Sequence, residues 1–160
     1  MGYDIYIQAT DGKLAEGDEN YFRFAWTAMP RTLDAMANFG MLTELPVPSV
    51  PPLSAYGLAT DDFQPGTPPD QATANRIAEF RAAYQAALDY GESKPTGIPS
   101  YKLQVNGGFL VTVAEISAAL AAYAAHPHAD VAEMPMGDPT WRSWTTFLRR
   151  AQKRGGLRTY

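Results

Sequence analysis

The segment DPTWRSWTTFLRRAQKRGGLRTY, residues 138–160, decides more of the fold than any other stretch of the chain. Asp138-Pro139 predicts a helix start, because aspartate caps first-turn N–H groups and proline suits the first helical position. Apolar residues then recur at spacings of three and four, which predicts one buried stripe. Its members are Trp141, Trp144, Phe147, Leu148 and Ala151.

Gly155-Gly156 predicts the end of this helix, because glycine readily takes the positive φ angle with which many helices close. The remaining residues, Leu157 to Tyr160, predict a short strand at the edge of a sheet. We expect it to pair with or pack against a strand over residues 3–8, since two short strands each need a neighbour.

A second face of the same helix is basic and comprises Arg142, Arg149, Arg150, Lys153 and Arg154. Residues 1–140 hold 7 basic and 17 acidic side chains, whereas residues 141–160 hold 6 basic and none acidic, so the net charges are −10 and +6. Such an asymmetry indicates an electrostatic interaction surface. The simpler interpretation is that the basic end folds back on the acidic body.

The N-terminal part predicts two strands and a helix. Alternating residues favour strands over 3–8 and 21–26, with the aromatic residues of the second strand, Trp26 included, on one face. Pro30 then opens a helix whose buried face includes Ala37.

Seven prolines between Pro46 and Pro69 exclude a long helix or a central strand, so this region predicts a long surface loop. Its many apolar side chains argue against a disordered linker. Two interpretations stay open: a cover packed over the sheet, or an extended arm that binds a partner. In the second, Tyr56 and Phe63 are candidate binding residues.

Two further helices are predicted in the second half. Asp70 caps the longest helix, which ends before Gly91 and carries an apolar face of Ile77, Phe80, Tyr84 and Leu88. A capping box over residues 112–115 opens another helix, which ends near His126. Between them, residues 101–105 and 109–111 predict a β-hairpin around Asn106-Gly107.

Together these elements predict an α+β fold, in which a small antiparallel or mixed sheet packs against about four helices in a single domain of residues 1–160. The absence of cysteine excludes disulfides, thiol nucleophiles and sulfur-ligated zinc. Residues 1–4 lack the basic region and apolar core of a signal peptide, and no apolar run approaches the roughly 18 residues of a membrane span, so we expect a cytoplasmic protein without membrane contact.

The chemistry of known sites is weakly represented. His126 and His128, with Asp130 and Glu133 nearby, offer metal-type ligands, but proline separates the histidines and the chain has no third one, so we predict no metal and no cofactor. No Gly-x-Ser-x-Gly motif is present, and no catalytic residue is assigned. A small hydrolase would have to use these histidines or loop carboxylates. The carboxylate candidates are Asp61-Asp62 acting with Asp4 or Asp34.

A resemblance rests on four motifs: MGYD (residues 1–4), YFRF (21–24), NGGFLVT (106–112) and GGLR (155–158). In these motifs the chain resembles small uncharacterised proteins of actinobacteria and their phages. The resemblance implies a phage or accessory-gene origin, and small phage proteins without enzymatic motifs often bind host proteins. We therefore predict a non-enzymatic protein-interaction or regulatory protein. The alternatives are the hydrolase above and a nucleic-acid binder that uses the basic helix.

Overall fold

The computed structural model describes residues 2–64, 66, 68–126 and 138–160, and for Asp138 the backbone alone. The chain forms two compact units, Met1–Pro46 with Gly91–Tyr160 and Val47–Tyr90, here named the main unit and the proline-rich unit. Each is described by itself, and a single domain over residues 1–160 stays a prediction.

The main unit is built on a four-stranded antiparallel sheet. Its strands in spatial order are β2 (Tyr21–Ala25), β1 (Gly2–Ile7), β6 (Leu157–Thr159) and β5 (Leu110–Val111). A separate parallel pair consists of β3 (Leu42–Thr43) and β4 (Ile98–Pro99).

Helices complete the predicted α+β class, which is confirmed. The main unit contains α1 (Ala28–Asn38), the single-turn α3 (Tyr101–Gln104), α4 (Val113–Ala124), α5 (Asp138–Gln152) and a 3-10 helix at Asp18–Asn20. The proline-rich unit contains α2 (Gln71–Leu88) and 3-10 helices at Leu53–Tyr56 and Thr60–Phe63. None of the described helices combines the length and the apolar composition of a membrane span.

The predicted apolar stripe of α5 is confirmed, since all five of its residues are buried. The indole N–H of Trp141 donates to the hydroxyl of Tyr123 at 3.0 Å, and that of Trp144 donates to Met36 Sδ at 3.4 Å. Both large side chains therefore enter the core without leaving a buried donor unsatisfied, which joins α5 to α4 and α1.

The C-terminal strand pairs with β1 as predicted, but the expectation of an edge strand is wrong. Leu157 lies opposite both Ile7 of β1 and Val111 of β5, so β6 is an inner strand. Gly156 makes this possible with a φ of 94°, and a Cβ there would collide with the carbonyl oxygen of Val111. Strand β6 is buried on both faces, which a four-residue tail could not reveal.

The predicted hairpin around Asn106-Gly107 is also wrong. Residues 101–104 form α3 instead of a strand, and β5 pairs with β6. Strand-like alternation placed Lys102 in solvent, but its side chain is fully buried. Its Nζ donates to Glu115 Oε1 at 2.8 Å and to the Leu110 carbonyl oxygen at 2.7 Å. Because Lys102 is buried, the alternation of apolar and polar residues over 101–105 does not correspond to a buried and an exposed face of a strand.

Three smaller expectations about exposure fail. Trp26 follows the last residue of β2, so strand alternation no longer applies to it and its side chain is 65% exposed. Ala37 is exposed, because α1 begins at Ala28 and buries Ala35 instead. On α2 only Ile77 is buried, and Tyr84 is exposed.

The proline-rich unit confirms the predicted cap of its long helix. The Asp70 side chain accepts a hydrogen bond from Thr73 N at 2.7 Å, and this bond lowers the pKa of the Asp70 carboxyl. The ring of Phe80 on α2 contacts the rings of Tyr56 and Phe63 at 5.7 and 5.8 Å between centroids. The two 3-10 helices are therefore held to α2 by aromatic packing.

Candidate functional site

The basic face of α5 lies on the outside of the main unit and continues past the helix end at Gln152 to Lys153 and Arg154. Arg142, Arg149, Lys153 and Arg154 are exposed, and Arg150 is half-buried. This face stands opposite the buried stripe of the same helix, as the sequence predicted. The sixth cation of the C-terminal segment, Arg158, is instead buried and bonded to Gln8 and to the carbonyl oxygen of Gly108.

Four of these five cations lack an acidic partner among the described side chains. No carboxylate oxygen lies within 4.0 Å of the charged groups of Arg149, Arg150, Lys153 or Arg154 in that part of the chain. For these four cations, the described residues provide no ion pair in support of the interpretation that the basic end folds back on the acidic body. The positive field of this face is directed at solvent, where it can act on a ligand.

A groove of about 350 Å³ runs beside this face, and we name it the edge groove because it borders strand β2. Its lining combines two arginines with aromatic rings, hydroxyl groups and one acidic residue, Glu19. The residues are Glu19, Tyr21, Phe22, Arg142, Ser143, Thr146, Phe147 and Arg150. A guanidinium at the wall of an aromatic groove can bind a carboxylate, while the aromatic rings contact neighbouring apolar side chains of the same ligand.

Local contacts fix the walls of the edge groove. Arg150 Nη1 donates to the carbonyl oxygen of Glu19, which ties the last turns of α5 to the residues before β2. The hydroxyl of Tyr21 donates to Asp4 Oδ1 at 2.5 Å, and this hydrogen bond raises the pKa of the Tyr21 phenol. Tyr21 therefore stays neutral at physiological pH and does not offset the positive charge of the groove.

The two aromatic candidates, Tyr56 and Phe63, lie in the proline-rich unit. Both side chains are half-buried against Phe80, so their principal role in the described structure is packing. Phe63 also lines a second groove of about 310 Å³, and the guanidinium of Arg81 lies 5.9 Å from its ring centroid. As binding residues, both stay predictions.

Only one of the weak metal candidates, His126, lies within the described residues. His126 is exposed and its ring lies 6.3 Å from that of Phe39, while His128, Asp130 and Glu133 fall outside the described residues. Within residues 2–64, 66, 68–126 and 138–160, no three histidine, aspartate or glutamate side chains are grouped as a metal site requires.

The carboxylate candidates have local structural contacts. Asp62 Oδ2 accepts a hydrogen bond from Ala59 N at 2.8 Å and so caps a 3-10 helix. Asp4 accepts from Tyr21 and lies 3.6 Å from the Arg23 guanidinium. Asp34 and Asp61 are exposed. Asp4 and Asp62 thus stabilise the structure around them, and a catalytic pair of carboxylates stays a hypothesis.

Sequence reasoning missed most of the edge groove. The basic face was visible as a helical spacing, but the opposite wall comes from residues 19–22, which are more than a hundred positions away. The signal in the sequence was the alternation within β2, in which Phe22 points inward and Tyr21 points outward.

Comparison of the chain with protein families, with curated proteins and with solved structures finds no match.

Proposed function

We propose that this protein is an interaction domain that binds an acidic segment of a partner protein through the basic face of α5. The observation that supports the proposal is a set of four cations, Arg149, Arg150, Lys153 and Arg154, that have no acidic partner among the described side chains and lie on the face that borders an aromatic groove. Exposed cations contribute little to stability, so a surface with four of them, Arg142, Arg149, Lys153 and Arg154, is better explained by binding than by folding. A host protein as the partner stays a prediction of the resemblance.

A protein segment suits this surface better than a nucleic acid. The rest of the chain carries a net charge of −10, so a long phosphate backbone would be repelled wherever it left the helix. A short acidic peptide needs only the local field. Arginine and aromatic side chains are also the types that contribute most to protein interfaces.

The proposal can be tested with a defined probe, the labelled peptide TETVTET, in fluorescence anisotropy. We expect saturable binding to the parent protein. Reversing the two groove arginines, Arg142→Glu with Arg150→Glu, should weaken binding by at least about tenfold, because charge-assisted hydrogen bonds are lost. A lysine-substituted peptide, TKTVTKT, should not bind.

The matched control reverses two exposed cations elsewhere in the main unit, Arg31→Glu with Lys94→Glu. Both double variants change the net charge equally, so a purely global electrostatic effect would weaken the peptide equally in both. Equal weakening in both double variants would contradict the proposal. So would a parent protein that does not bind the peptide. Tighter binding of a short DNA duplex, with affinity that falls steeply with salt, would assign the face to nucleic acid instead.

A further inference from the structure

We infer that the acidic segment binds in an extended conformation, as an additional strand on the free edge of β2, with its carboxylates directed at Arg142 and Arg150. The inference rests on the proposed function and specifies the shape and spacing of the partner. Strand addition to an exposed sheet edge is a recurrent way to bind peptides, since backbone hydrogen bonds supply affinity and side-chain contacts supply specificity.

The hydrogen bonding of β1 shows which groups of β2 point outward. Asp4 exchanges backbone bonds with Tyr160 on the β6 side, at 3.0 and 2.8 Å. Its neighbours Tyr3 and Ile5 must therefore face β2, where they lie opposite Phe24 and Phe22. The alternate residues of β2 consequently direct their N–H and C=O groups away from the sheet.

These outward groups form an open edge. Tyr21 N donates to the carbonyl oxygen of Asp18, and a turn at residues 26–27 follows Ala25, whereas no bond between elements of the described chain reaches the outer edge of Arg23. Strand β2 is terminal in the sheet order and five residues long. Proteins usually shield such an edge, and an unshielded one is a template for another strand.

Helix α5 runs antiparallel to this strand and walls the space beside it. Along the helix, Arg150 contacts Glu19, Phe147 contacts Phe22, and Trp144 contacts both Phe22 and Phe24. A strand added along β2 would therefore meet the edge groove at Tyr21 and Phe22, with alternate side chains facing α5.

The spacing of the cations matches an extended chain. Arg142 and Arg150 are eight residues apart, which is about 12 Å along a helix axis. Side chains at positions i and i+4 of a strand lie on one face and about 13–14 Å apart. Two carboxylates with this spacing can each meet one guanidinium. The side chain between them, at i+2, then meets the aromatic floor at Phe22, which favours an apolar residue. The peptide TETVTET has this pattern.

The first test is a single proline substitution in β2. Arg23→Pro removes the central outward N–H of β2 and fills its place with ring carbons, while the bonds to β1 go through Phe22 and Phe24 and are kept. Arg23→Ala is the control for the lost side chain and its ion pair with Asp4. We expect the proline variant to bind TETVTET at least about tenfold more weakly than the alanine variant.

The second test leaves the protein unchanged, so it holds even where Arg23→Pro disturbs folding. Single N-methyl groups are placed in turn along the backbone of TETVTET. An added strand turns every second N–H to β2, so the loss of affinity should alternate with a period of two. A peptide bound as a helix or in several poses would show no such alternation.

The outcomes separate the two proposals. Alternating losses together with weak binding to the proline variant support strand addition. Uniform N-methyl effects, with binding still dependent on Arg142 and Arg150, overturn strand addition and leave the acidic-segment function standing. Binding that ignores both arginines overturns both. A dimer of the chain, measured by light scattering, that Arg23→Pro dissociates and the peptide does not shows that a second copy occupies this edge and also overturns the inference.

Discussion

The buried lysine Lys102 and the basic face of α5 show two opposite uses of positive charge in one unit. Lys102 and Glu115 are both fully buried, and the ammonium group donates to both carboxylate oxygens at 2.8 and 3.0 Å. The cations of α5 are mostly exposed, and the described carboxylates do not pair with Arg149, Arg150, Lys153 or Arg154.

The difference lies in what each charge requires. A buried ion needs its partner, because the desolvation cost of an unpaired charge in the core is several kcal/mol. An exposed ion keeps its hydration and needs no partner, so it remains available to a ligand. We expect substitutions of Lys102 to act on folding and substitutions on α5 to act on binding.

The largest effect should come from Lys102→Met, which leaves the Glu115 carboxylate buried without its counter-ion. Removing one member of a buried pair costs about 3–5 kcal/mol, a large part of the stability of a domain this size. Urea denaturation of the variant measures the loss. A variant that unfolds at the same urea concentration as the parent would mean that water or another group reaches Glu115 in solution.

The control for this prediction is the double variant Lys102→Met with Glu115→Gln. Glutamine keeps an acceptor for Thr112 N, which now donates to Glu115 Oε2 at 2.8 Å, but it carries no charge. The double variant should therefore be more stable than Lys102→Met alone. If it is less stable, the carboxylate contributes to folding independently of the lysine.

The same comparison explains how far the sequence could be interpreted. For α5 and β6, helical spacing, the proline at position 139 and the closing glycines agree with one another, and the structure confirms helix, stripe and pairing with β1. For residues 101–105, five alternating residues fit a strand or a helical turn equally well. The deciding fact is the contact of Lys102 with Glu115, thirteen positions away, which local pattern does not contain.

The candidate site divides in a similar way. The basic face could be predicted because it is a property of one helix. The edge groove could not, since it depends on the packing of α5 against β2, and that packing follows from tertiary contacts such as the one between Phe22 and Trp144. The central position of β6 was hidden for the same reason, because strand order is decided by distant segments.

A smaller effect is expected at the start of α4, which positions the buried carboxylate. Thr112 Oγ1 accepts from Glu115 N at 3.2 Å, while Glu115 Oε2 accepts from Thr112 N. Thr112→Ala should cost about 1 kcal/mol through the lost cap. Thr112→Ser keeps the hydroxyl and is the matched control. A loss for the serine variant as large as for alanine would assign the effect to the threonine methyl group instead of the cap.

The smallest effect should come from reversing two exposed cations outside the edge groove, Arg149→Glu in the last turn of α5 with Arg154→Glu just after the helix end. Both lie near the helix C-terminus, where a positive charge interacts favourably with the helix dipole, so reversal should cost only about 1 kcal/mol at low salt. Added salt screens exposed charges, so the cost should shrink toward zero as sodium chloride is raised, whereas the cost of Lys102→Met should hardly change because that pair is shielded from solvent. Urea denaturation, which adds no ions of its own, measures both variants at each salt concentration. If the free energy of unfolding falls by more than about 2 kcal/mol and salt does not reduce this loss, these arginines stabilise the fold. The contrast between buried and exposed cations would then fail for this helix.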